Sequence, residues 1–104
     1  MPRCEVLMPT YITHARWTPQ GTQKLKDSPA RLDDAKKAFQ ADGVKMLHFF
    51  MTTGAHDMLF IAEAPNDEAM AKATLKAIAL GNITTQTSRA FTEDEYRKIV
   101  GSLK

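Results

Sequence analysis

The sequence predicts a single α+β domain with the element order βαββαβ and one further helix at its end. Three observations carry this. His48–Pro65, HFFMTTGAHDMLFIAEAP, reads as two apolar strands about a Thr-Thr-Gly-Ala turn, with Gly54 free to take positive φ. On each side of that hairpin lies a further strand, separated from it by a segment with helix-start signals. The chain then closes on Thr92-Glu93-Asp94-Glu95, a capping box that opens a last helix.

In order, residues 9–17, PTYITHARW, are rich in aromatic and β-branched side chains and form strand one. Thr18-Pro19 and Ser28-Pro29 each pair an N-cap residue with proline at the first helical position. The first helical region is therefore expected in two pieces, a short one to about 27 and a longer one over 29–42. Leu32, Ala35 and Phe39 share a face of the second piece, and Gly43 ends it. Strand two covers about 44–53 and strand three about 56–64. Pro65-Asn66 turns the chain, and Asp67-Glu68 place acids in the first turn of a helix running to about Leu80. Met70, Ala73, Ala77 and Ile78 form its apolar stripe, and Gly81 stops it. Strand four, 83–91, is threonine-rich and polar, as an edge strand is. Phe91 and Tyr96 stand at staple positions around the final capping box, and Ile99, Val100 and Leu103 continue that helix's apolar face.

This order is the ferredoxin-like split βαβ pattern: a four-stranded antiparallel sheet in the order 4-1-3-2 with a C-terminal helix. Strand three alternates Met58, Phe60 and Ala62 against Leu59 and Ile61, so both of its faces are apolar. Two helical regions cover one face of the sheet, and the other needs a second cover. A second copy of the same sheet supplies it, so the expectation is a homo-oligomer, at least a dimer, of the dimeric α/β barrel type.

At 104 residues, one domain over 8–104 is expected, with 1–7 as an N-terminal tail. Lysines and arginines alternate with acids (KLKDSPARLDDAKK), which leaves no basic stripe for phosphates, so nucleic acid is not an expected partner. No apolar run approaches the ~20 residues of a membrane span, and no signal peptide opens the chain, so a cytoplasmic protein is expected. One cysteine, Cys4, excludes an internal disulfide and a CxxC pair.

The runs MPTYITHARWTPQG, KDSPARLDDAKKAF, GAHD, EAPNDEAMAKA and RAFTEDEYRKI resemble the GYD domain family over about residues 8–100. The resemblance implies a ferredoxin-like, dimeric α/β-barrel architecture and no established activity. His56 stands where the family's Gly-Tyr-Asp signature has tyrosine, with Gly54 and Asp57 retained. His14 stands where an aliphatic residue is expected.

Three histidines on strands suggest a metal or haem, since imidazole is the commonest metal ligand. With strands one and three taken as parallel, His14 lies level with Ile61. A hairpin pairing Thr53 with His56 brings His48 level with Ile61 too. His14 and His48 are then the candidate metal ligands, about 9–10 Å apart, and His56 lies roughly 16 Å away. His56 is instead a candidate general base, and Asp57 is expected to bond the turn backbone. Arg16 and Arg89 are candidates to orient an anionic substrate.

The expected function is a small-molecule pocket between the sheet and its covering elements in an oligomeric barrel, serving a His-liganded transition metal or haem site or a cofactor-independent enzyme. The alternative is a non-catalytic ligand-binding or assembly module. The open question at this stage is whether the histidines line a cavity.

Overall fold

The computed structural model describes residues 8–104; the expected 1–7 tail and Cys4 lie outside the described residues. The elements are β1 (Thr10–Trp17), α1 (Pro19–Gln23), a 3-10 turn (Leu25–Asp27), α2 (Ser28–Ala41), β2 (Lys45–Met51), β3 (Met58–Glu63), α3 (Asp67–Ala79), β4 (Ile83–Ala90) and α4 (Glu93–Gly101). The strands form one antiparallel sheet in the order β2-β3-β1-β4, the predicted order read from its other edge. No described helix is long and apolar enough to cross a membrane.

Local chemistry sets most boundaries. Thr18 Oγ1 accepts from the Gly21 N–H at 3.1 Å and Asn66 Oδ1 from the Ala69 N–H at 2.8 Å, satisfying donors that the first helical turns leave free. Helix α2 ends in a Schellman motif: Gly43, at φ +80°, donates to Gln40, and Val44 donates to Phe39. Val44 and Phe39 are both buried, so the helix end is packed as well as hydrogen-bonded. Ser28 departs from its expected role as a cap. The 3-10 turn runs directly into α2, Asp27 already has helical φ and ψ, and Ser28 becomes the first helical residue.

Register brings two corrections. Strands β1 and β3 are antiparallel, so His14 pairs with Leu59, and Ile12 is the residue level with Ile61. Connectivity explains this: a helical crossover leaves β1 and β2 pointing the same way, and the hairpin reverses β3 against both. The hairpin itself follows the expected register, with His48 opposite Ile61 across a bulge after Met46. Strand β3 begins at Met58, so His56 lies in the turn and not on a strand. That turn is held by Thr52, whose N–H donates to the Asp57 carbonyl at 2.8 Å and whose hydroxyl donates to the His56 carbonyl at 2.6 Å.

Tyr11, Thr13 and Ala15 of β1 and Met58, Phe60 and Ala62 of β3 are buried beneath α2 and α3, where Phe39, Met70 and Ala73 complete the core. The alternate residues Ile12, His14, Leu59 and Ile61 form the opposite face and are only half-buried. The single chain thus keeps the two-faced apolar strand that the sequence implies.

Candidate functional site

The histidines fall on the open face of the sheet, but not in the expected grouping. His14 projects there from β1, and the hairpin turn brings His56 back over it, with ring centroids 4.7 Å apart and inclined by 43°. The expected separation of roughly 16 Å is overturned, because antiparallel pairing sets the end of β1 beside the start of β3. His48 shares the face but lies two strands away and two residues along, and its ring stacks on Phe50 at 6.3 Å. The pair that the fold brings together is therefore His14 and His56, not His14 and His48. Among the described residues, no group of three or more His, Cys, Asp or Glu is placed to hold a metal ion.

Arg16 lines the same shallow cleft as His14 and His56, together with Thr84 and Gln86 of β4. The cleft contains no acidic side chain, so its chemistry is that of a donor-rich, cationic surface. Asp57 is structural, as expected, but its carboxylate bonds β1 and not the turn backbone: Oδ2 accepts from the Trp17 N–H at 3.1 Å and ties the turn to the end of β1.

Arg89 is elsewhere. It pairs with Tyr11 on the helix side of the sheet, at the opposite end from Arg16. Its guanidinium lies 4.4 Å from the Phe91 ring centroid and 3.7 Å from Glu95 Oε2, and it also reaches the Ala90 carbonyl. These contacts commit it to the root of α4. Beside it, the buried Tyr11 phenol donates to Asp67 at the start of α3. Burial, and then the Asp67 carboxylate, push the phenol up to about 12. Neither arrangement joins the histidine cleft.

A third feature lies where a pocket between the sheet and its covering elements is expected, although none of the candidate histidines, nor Arg16 or Arg89, lines it. Between α2, α3 and the sheet lies an apolar cavity of about 350 Å³, open at one end. Its lining includes Trp17, Leu32, Phe39, Phe49, Met58 and Phe60. Side chains at helical and strand spacing read simply as core. How much space they leave between elements has no signature in a single sequence.

Helix α4 stands out by exposure. Tyr96, Ile99 and Val100 recur at i, i+3 and i+4, Leu103 follows just past the helix end, and each keeps 46–73% of its surface in water.

A protein from Thermus thermophilus, named glutamine synthetase and cystathionine beta-lyase binding protein, is 27% identical over 84 residues, covering 80% of this chain and 88% of the relative. No solved structure matches. The family model for the GYD domain matches residues 11–100, nearly the whole of the fold described above, and the chain belongs to the GYD domain family.

Proposed function

We propose that this chain is a non-catalytic binding module that docks onto metabolic enzymes through α4 and assembles with copies of itself through the open face of its sheet. The observation that carries the reading is the bare apolar stripe of α4. Apolar anchors at i, i+3 and i+4, here followed by Leu103 just past the last turn, are what a helix offers to a groove on a partner protein. The capping box preforms the helix, so docking does not have to supply the ordering of its first turn. The Thermus relative, named for binding glutamine synthetase and cystathionine beta-lyase, supports enzymes of that kind as partners. Ile12, Leu59, Ile61 and Phe50 give the sheet face an apolar centre for self-association, with a second copy as the cover that the sheet needs. The test is titration of the chain against purified glutamine synthetase and purified cystathionine β-lyase by biolayer interferometry. Saturable binding to at least one supports the reading, and binding to neither contradicts it.

A second reading follows from the approach of His14 to His56. With Arg16 in the same cleft, the two imidazoles hold a small anionic ligand, and His56 is the group placed to accept a proton from it. Titration with inorganic phosphate, followed through the imidazole proton resonances, tests this. Saturable shifts of both rings support it, and shifts no larger than those in His14→Ala contradict it.

A further inference from the structure

We infer that the cavity between α2, α3 and the sheet is a binding site for a neutral, predominantly hydrocarbon small molecule. Its volume of about 350 Å³ lies at the lower end of small-molecule sites, roughly 300–1,000 Å³. The walls are apolar and aromatic, and water entering there finds few partners. The described lining holds no acid and no lysine. Its cation, Arg31, gives one guanidinium nitrogen to the Gly21 carbonyl at 3.1 Å and another to the Lys24 carbonyl at 2.9 Å. Those bonds tether it at the rim by the α1–α2 connection. The polar groups are neutral: Ser28, Thr74, Asn82 and Thr85, with the Thr74 hydroxyl already bonded to carbonyls of its own helix. A ligand with one hydroxyl or carbonyl fits this set. A carboxylate inside would be desolvated among apolar walls, with Arg31, held at the rim by two carbonyls, as the cation of the described lining.

The rim points the same way. Leu25, Met51 and Leu80 surround the mouth and stand 43%, 67% and 69% exposed, so an apolar guest removes their surface from water as well as its own. Met46, Met51 and Met58 add adaptable walls, which suit guests of varied outline. Helix α4 does not roof the opening. The cavity lies at the end of the sheet where β4 begins, at Ile83, and α4 leaves from the far end, beyond Ala90. The site is therefore separate from the proposed docking helix and from the open sheet face, and the tests fail independently.

The chain's single tryptophan, Trp17, lines the cavity and supplies the readout. The full chain is titrated with the neutral fluorophore N-phenyl-1-naphthylamine while Trp17 emission is followed. Saturable one-site enhancement is expected, with quenching of Trp17 by energy transfer. Displacement by 1-decanol is expected, with decanoate needing at least about tenfold more because its charge would be desolvated among apolar walls. Ala35→Phe and Ala77→Phe each fill the cavity from a different helix. At least one should fold, as judged by far-UV circular dichroism, and weaken the probe at least about tenfold through lost volume. Non-saturating binding would overturn the inference, as would equal displacement by decanoate or full-strength binding in the folded filled variants.

Discussion

The rings of His14 and His56 meet at 4.7 Å although one belongs to a strand and the other to a turn. That contact is the most sensitive reporter of strand direction in the protein. With β1 and β3 parallel, the two would lie about 16 Å apart. Nuclear Overhauser contacts between the two imidazoles are therefore expected, and His56→Ala should shift the His14 ring protons through loss of the neighbouring ring. Absence of both effects would mean that the sheet is misregistered.

Gly21 marks where α1 meets the loop before β4. A Cβ there would stand 2.2 Å from the Asn82 carbonyl oxygen, which already accepts the Thr18 N–H at 3.0 Å. Because the obstacle is backbone, it cannot rotate away. Gly21→Ala should cost roughly 1–3 kcal/mol in urea unfolding by forcing the two segments apart. A change within about 0.5 kcal/mol, as at an unconstrained surface site, would show that they are not in contact.

Tyr11 links pH to stability at the alkaline end. Its phenol is pushed up to about 12 from an ordinary 10.0, chiefly by burial and then by the Asp67 carboxylate that accepts its hydrogen bond. Folding favours the protonated phenol, so its contribution is full below about pH 10 and is lost as pH rises toward about 12. Thermal midpoints should fall across that window, and Tyr11→Phe should flatten the fall. An identical pH profile in Tyr11→Phe would assign the alkaline loss to other groups.

The open sheet face should drive self-association. Leu59→Glu sets a charge at its centre, opposite His14 and Phe50. Light scattering of the wild-type chain should give at least a dimer mass, and the variant should shift to monomer while keeping its far-UV spectrum. A wild-type monomer, or a variant that still dimerises, would place the interface elsewhere.

Much of this fold was legible because its signals are local. The capping box at Thr92, the glycine ends at Gly43 and Gly81, and the register opposing His48 to Ile61 each depend on a few adjacent residues. The alternation of Met58, Phe60 and Ala62 with Leu59 and Ile61 likewise translated directly into a covered and an open face. The candidate site was harder to read because it depends on the direction of a non-adjacent strand. Reversing β3 against β1 exchanges His48 for His56 as the neighbour of His14. The surroundings of Arg89 were illegible for a related reason: its partners Tyr11, Phe91 and Glu95 gather only once β4 is paired and α4 has turned back onto its end. The size and lining of the apolar cavity left no trace in the sequence, because they are properties of the gap between elements.

The central claim is that α4 is a docking helix, and its most direct test alters the stripe without altering the fold. Ile99→Asp sits mid-helix at an exposed position, 46% open to water, so the domain should keep its thermal midpoint. Binding to immobilised glutamine synthetase and cystathionine β-lyase is measured for this variant and the wild-type chain side by side. The expected result is saturable wild-type binding to at least one enzyme and a loss of at least about tenfold in Ile99→Asp, as for a central apolar anchor. Equal binding by the two chains, or none by the wild type, would contradict the claim.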